Sequence, residues 1–291
     1  PHIIKLFEYF EDSDNIYLTM EAAEGGELLK VIEDLAQQGW RVSESWSATV
    51  MQQILEALTY CHGRRLMHKD LKAENIMLLN SSDSMTDPHA VVIDLGLAEM
   101  FGSSSVPEGA RQPRHTPCRE DYGSQEEYET KLYQRIQSRK VGGTPITMAP
   151  EVWRTYMNPT KSSFGLKCDV YSLGVVLFQL LTGVVPFTYH TLDPMSWLNV
   201  IAAGPPMDEL KMCSCEAKAL VCKMLAYDPA ERPTARQALQ DSWFTEKAAA
   251  RKEVQLSDKQ MLALQMFSKK SDLQKAVTLQ IASQLRAADV P

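Results

Sequence analysis

Within the eight residues His68-Lys69-Asp70-Leu71-Lys72-Ala73-Glu74-Asn75 the chain places an acid, a cation and an amide side chain. A carboxylate such as that of Asp70 can orient a hydroxyl and accept its proton. The ammonium of Lys72, two residues on, is a mobile point charge. Asn75, and Asp94 in the later run Ile93-Asp94-Leu95-Gly96, carry hard oxygen atoms of the kind that suit magnesium. Taken singly, an Asp or Lys in a loop is an ordinary solvated residue. The joint pattern is what points to chemistry.

Regular elements must hold these groups. Ser45 to Cys61 carries Val50, Ile54, Leu55 and Leu58 at helical spacing, which predicts an amphipathic helix packed on a core. Met77-Leu78-Leu79 and Val91-Val92-Ile93 read as short strands flanking the polar turn Asn80 to Asp87. Upstream, Ile3 to Phe10 and Asn15 to Glu21 surround the turn-like Glu11-Asp12-Ser13-Asp14 and predict two paired strands. Gly25-Gly26 interrupts, and a helix is expected to begin at Glu27.

From Thr144 onward the chain is helical and apolar, with turns at Gly204-Pro205-Pro206 and Asp228-Pro229. The run Val170 to Phe187 contains Tyr171, Ser172, Gly174, Gln179, Thr182 and Gly183, which fits a buried helix better than a membrane span. Residues 102–138 are rich in Ser, Pro, Glu, Arg and Gln and read as a mobile insert, filler in preference to a docking loop. After Phe244 the composition shifts to Lys, Gln, Ala and Leu. There Leu273, Val277, Ile281 and Leu285 recur every four residues, one face of a helix.

The chain has 291 residues, 44% of them hydrophobic and 23% charged, as in a globular protein. A net charge of -7 disfavours nonspecific nucleic-acid binding and leaves room for a basic substrate. The six cysteines (Cys61, Cys118, Cys168, Cys213, Cys215 and Cys222) show neither a Cys-x-x-Cys pair nor a His partner at zinc spacing. They read as reduced thiols of a cytoplasmic protein, with the nucleus as the alternative compartment. Pro1-His2-Ile3-Ile4 lacks the charged-then-apolar order of a secretory leader.

The eight-residue loop resembles the His-Arg-Asp-Leu-x-x-x-Asn catalytic loop of eukaryotic-type protein kinases, with Lys69 standing where Arg is usual. Ile93-Asp94-Leu95-Gly96 resembles that family's Asp-Phe-Gly motif, and Ala149-Pro150-Glu151 its Ala-Pro-Glu motif. The resemblance implies an α+β, bilobal fold over 1–244. Residues 1–23 would be a small-lobe remnant with the hinge and 24–244 the large lobe, interrupted by the insert at about 102–138; 245–291 would be a helical extension. It implies ATP and Mg2+ as cofactors. Asp70 would be the catalytic base, Lys72 the cation on the transferring phosphate, and Asn75 and Asp94 the metal ligands.

Further roles follow from the same resemblance. Tyr17-Leu18-Thr19-Met20-Glu21-Ala22-Ala23 resembles the hinge: Met20 would back the adenine pocket, the backbone of Glu21 and Ala23 would bond adenine, and Met77 would form the floor. Thr144, in Gly142-Gly143-Thr144-Pro145, would bond near Asp70 and Lys72, as in Ser/Thr kinases. Glu27, on the nucleotide side, and Glu74 match two acids that receive an Arg upstream of the target hydroxyl, so the substrates expected are proteins with basic residues near the target Ser or Thr. His68, Glu151, Asp169 and Arg232 would be structural: Glu151 pairing with Arg232, and Asp169 bracing the loop backbone. Leu95 is expected to fill an apolar pocket in place of Phe. Lys at position 69 lacks the guanidinium fork, so activation by loop phosphorylation is expected to be weak.

The family's Gly-rich loop, third-strand Lys and partner Glu are not found, and are expected to precede Pro1. The tail wording Phe267-Ser268-Lys269-Lys270 through Leu285 resembles the junction of calcium-dependent protein kinases. That resemblance implies a calmodulin-like domain, or calmodulin, binding a helix over 256–285. A second reading is a pseudokinase or scaffold that binds partners without catalysis; a third is a calmodulin-binding module in the tail alone.

Overall fold

The computed structural model describes residues 1–80, 87–101, 123–188 and 193–246. The chain divides into two compact units, Pro1–Ala248 and Ala249–Pro291. The helix expected over 256–285 lies outside the described residues, as do 102–122 of the expected insert.

Strands β1 (Leu6–Glu11) and β2 (Ile16–Met20) form an antiparallel hairpin pairing Leu6 with Met20 and Glu11 with Ile16. Asp12 closes its turn, one carboxylate oxygen accepting the amides of Asp14 and Asn15 at 2.8 Å each. The hairpin is tethered at its base: Ile3 bridges to Val92, and the Glu21 amide donates to the Lys5 carbonyl at 2.9 Å. Leu6, Phe7, Tyr9, Phe10, Ile16 and Leu18 are all exposed.

The rest is mainly helical. After β3 (Gly26–Glu27) come α1 (Leu28–Gln37), α2 (Glu44–Gly63), β4 (Leu66–Met67), β5 (Ile76–Leu78), β6 (Ala90–Val92) and β7 (Glu99–Met100). Then follow α3 (Gln125–Arg135), α4 (Pro150–Met157), α5 (Lys167–Thr182), α6 (Pro194–Ala202), α7 (Cys215–Met224) and α8 (Ala235–Leu239). The short strands make a sheet of order β3-β5-β6 and a separate pair β4-β7, all antiparallel.

Helix α2 starts where the Ser43 hydroxyl accepts the Trp46 amide at 3.2 Å and Glu44 complements the helix dipole. Its Val50, Ile54, Leu55 and Leu58 enter the core. Helix α5 is buried around almost its whole circumference, so its sequence has no polar face. Among the described residues no helix is long and apolar enough to cross a membrane. Burying each Leu or Phe of this frame contributes roughly 1.5–3 kcal/mol.

The segment whose composition reads as a mobile insert contains α3, and this part is packed. The Ser124 hydroxyl caps it by accepting the Glu127 amide at 3.1 Å, and Leu132 and Ile136, four residues apart, are buried. Arg236 at α8 forms an ion pair with Glu129. Composition averages over many surface residues and so hides the few that anchor the helix.

Candidate active site

The His68–Asn75 loop follows β4 and ends in the 3-10 turn Ala73–Asn75, and it hangs from α5. Asp169, in the first turn of α5, is fully buried and accepts the backbone amides of His68 at 2.9 Å and Lys69 at 2.8 Å, one on each carboxylate oxygen. His62 Nε2, 2.9 Å away, adds a third bond. Burial alone would raise this carboxyl, but the hydrogen bond from His62, then that from the His68 amide, hold it below the usual carboxylate range. His68 itself turns inward: Nε2 donates to the Ile93 carbonyl at 3.2 Å and Nδ1 accepts the Asp70 amide at 3.3 Å.

So pinned, Asp70 presents its carboxylate to three partners. Thr144 donates twice to one oxygen, from its amide at 2.8 Å and its hydroxyl at 2.7 Å. Lys72 Nζ lies 3.4 Å from the other oxygen and donates to the Thr144 hydroxyl at 2.9 Å. Asn75 Nδ2 donates to the Asp70 carbonyl at 2.9 Å and to its carboxylate at 3.3 Å. The approach of Thr144 requires Gly143, whose φ is +118° and whose missing Cβ would stand 2.4 Å from the Lys69 carbonyl oxygen.

Because the amide nitrogen of Asn75 faces Asp70, its oxygen is left for a ligand. The Asn75 carbonyl accepts the Ile93 amide at 2.9 Å, which brings the base of Asp94 beside it. Asp94 is exposed and sits at φ 58°, and Lys69 at φ 74°; such left-handed backbone at non-glycine residues gathers at functional sites. Among the described residues no cluster of three or more His, Cys, Asp or Glu could hold a metal. Two hard oxygens with the rest supplied by phosphate and water is the donor set that suits magnesium.

Lys69 has a partner that its motif does not announce. Its side chain, 7% exposed, lies 3.3 Å from Glu99 on β7, and the same carboxylate oxygen accepts the Ser138 hydroxyl at 2.6 Å. Glu151 and Arg232 form a buried two-pronged pair at 2.6 and 2.8 Å. Arg232 also donates to the carbonyls of Ala226, Lys167 and Tyr227 and lies over the Tyr171 ring.

Of the expected hinge residues, Tyr17 to Met20 belong to β2 and Glu21 to Ala23 follow it; the Glu21 amide already donates to Lys5, so the Glu21 carbonyl is the group left to accept. Met20 is 47% exposed. Met77 lies on β5 opposite Glu27, while Glu74, half-buried, sits in the 3-10 turn. Leu95 does not fill an apolar pocket: it is 43% exposed, because no described element covers it. Reading the residues missed Glu99, Ser138, His62 and Tyr133. Each lies outside the three motifs, and only the folded chain brings it to the loop.

The family model for the protein kinase domain matches residues 1–244, and the chain belongs to this family. It is similar to calcium-dependent protein kinases. The match to calcium-dependent protein kinase 5 of Plasmodium berghei (strain Anka) is 30% identical over 247 residues, 84% of this chain and 36% of that protein. Calcium-dependent protein kinase 8 of Arabidopsis thaliana is 31% identical over 291 residues, 100% of this chain and 46% of that protein. The chain thus spans less than half the length of either relative. Protein kinase domains in general use ATP and a divalent metal.

Proposed function

We propose that this chain carries the catalytic loop of a Ser/Thr protein kinase that transfers the γ-phosphate of ATP, with Mg2+, to a protein hydroxyl. The observation that carries the reading is the Asp70–Thr144–Lys72 cluster: a buried carboxylate held by an amide and a hydroxyl, with an ammonium alongside. Asp70 would orient the substrate hydroxyl and take its proton, while Lys72 neutralises charge on the transferring group. Asn75 and Asp94 would hold the metal, which supplies further neutralisation of the phosphates. Met20, Glu21, Ala23 and Met77 would line the adenine site.

Substrates with an Arg upstream of the target Ser or Thr fit Glu27 and Glu74. Calcium control, through a calmodulin-like domain or calmodulin at 256–285, is supported by the similarity to calcium-dependent kinases. The cytoplasm, or the nucleus, is the compartment this reading expects. Regulation by loop phosphorylation would be weak, because the Lys69 ammonium is already engaged by Glu99. Activity should survive phosphatase treatment; a collapse would refute that point.

The deciding assay is transfer from labelled ATP–Mg2+ to a Ser peptide with an upstream Arg, by the complete natural chain, with Asp94→Ala beside it. Transfer that vanishes in the variant supports the kinase reading. A folded chain with no transfer, with or without calcium, favours the scaffold reading.

A further inference from the structure

Helix α3 places a phenol beneath the catalytic loop. Tyr133 Oη lies 2.6 Å from His62 Nδ1, and it accepts the Ala235 amide at 3.3 Å. His62 is 2% exposed and the two rings meet edge to face with centroids 5.5 Å apart. The opposite ring nitrogen, Nε2, faces the Asp169 oxygen that also accepts the His68 amide.

Counting donors fixes the direction of the chain. The Tyr133 oxygen already receives the Ala235 N–H, so its single proton is free to go to His62 Nδ1. An accepting Nδ1 puts the imidazole proton on Nε2, where it donates to Asp169. A doubly protonated ring would turn Tyr133 into an acceptor twice over and leave its O–H with no acceptor among its hydrogen-bond partners, His62 and Ala235. Burial pushes the Tyr133 phenol up, so it keeps its proton, and Asp169 is ionised; the two ends of the relay have the states it needs.

We propose that Tyr133 is a positioning residue for phosphoryl transfer: by fixing the Nε2–H tautomer of His62 it orients Asp169, which holds the amides preceding Asp70. Tyr133 touches neither nucleotide nor substrate in this role. The segment between Asp94 and Glu151 therefore meets the catalytic loop directly through Glu99 at Lys69 and Thr144 at Asp70, and indirectly through Tyr133 by way of His62 and Asp169. This inference rests on the kinase reading for its effect on rate but not for its effect on His62.

The test compares the full chain with Tyr133→Phe, which keeps the ring and removes only the hydroxyl. Nitrogen-15 NMR of the histidine rings in the unmodified protein should show His62 as the Nε2–H tautomer with a hydrogen-bonded Nδ1. Tyr133→Phe should shift the Nδ1 resonance towards that of a ring without this bond. In the transfer assay kcat should fall between about tenfold and a hundredfold, with KM for ATP unchanged. An Nδ1–H tautomer or an imidazolium in the unmodified protein at neutral pH overturns the proposal, even if the variant does not fold. So does a variant with unchanged kcat and His62 signals, whatever its melting temperature. If the unmodified chain transfers no phosphate, the kinase reading fails, and the His62 signals alone then decide whether Tyr133 sets the tautomer.

Discussion

Gly143→Ala separates a steric demand of the site from ordinary glycine strain. The added methyl would stand 2.4 Å from the Lys69 carbonyl oxygen and 3.7 Å from Asp70 Oδ1. Restoring an ordinary contact needs a shift of about 1 Å, in a region close-packed enough to transmit it. If the Thr144 side yields, the 2.8 and 2.7 Å bonds to Asp70 stretch beyond useful length. If the loop yields, the Lys69 amide leaves Asp169, which it meets at 2.8 Å.

Either way the geometry around Asp70 is displaced by about 1 Å, which on the proposed kinase function lowers kcat/KM about a hundredfold. The φ of +118° adds backbone strain of about 1–3 kcal/mol, a fall in melting temperature of roughly 2–12 °C. Gly39→Ala is the control: φ is +75° there, but nothing lies within 4 Å of the new methyl, so it carries strain without the clash. Labelled phosphate transfer and thermal melting, run on both variants, give the answer. Equal rates in the two would refute the steric reasoning.

Arg232→Met should cost roughly 3–5 kcal/mol in chemical denaturation, because Glu151 keeps a buried charge with no cation beside it; adding Glu151→Gln should recover part, and a cost under about 1 kcal/mol would count against this. Asp169 ionises below its ordinary range in the folded chain, with His62, His68, Lys69 and Cys168 around it. Its stabilisation is therefore fully present above the unfolded value of about 4 and lost as pH falls through the lower folded value. Asp169→Asn should be less stable at neutral pH and flatter in its acid limb; parallel acid limbs would exclude that linkage. Burial, with the Asp169 charge adding to it, pushes the Cys61 thiol up to about 11, and burial drives Cys168 well above its normal value. Both should resist iodoacetamide at neutral pH while exposed Cys215 reacts, as peptide mass spectrometry would show; rapid native labelling of Cys61 would mean α2 opens.

How much of this was legible follows the range of each interaction. The catalytic loop and the Asp94 turn are local, so their residue types could be read in order. Glu151 and Arg232 lie 81 positions apart, and their pairing became legible only through a family resemblance. The Glu99–Ser138 and His62–Tyr133 contacts span 39 and 71 positions, and nothing in local periodicity marks them. Tyr133 was hidden further by its surroundings, since Gln125–Arg135 is mostly polar and is held down by few apolar side chains. Leu95 failed for a different reason: its residue type suggests burial, but burial depends on what else covers it.

The β1–β2 hairpin carries a consequence for solution behaviour. Phe7 is 65% exposed, Tyr9 67% and Ile16 69%, on a ribbon of only two strands. A free strand edge beside apolar side chains is a template for pairing with another copy. Unless something else covers it, light scattering should show particles that grow with protein concentration and with added sulfate, since salts excluded from protein surfaces strengthen apolar association. Colloidal behaviour would then be governed by the exposed residues of β1 and β2, while the melting temperature reports on a core that does not include them.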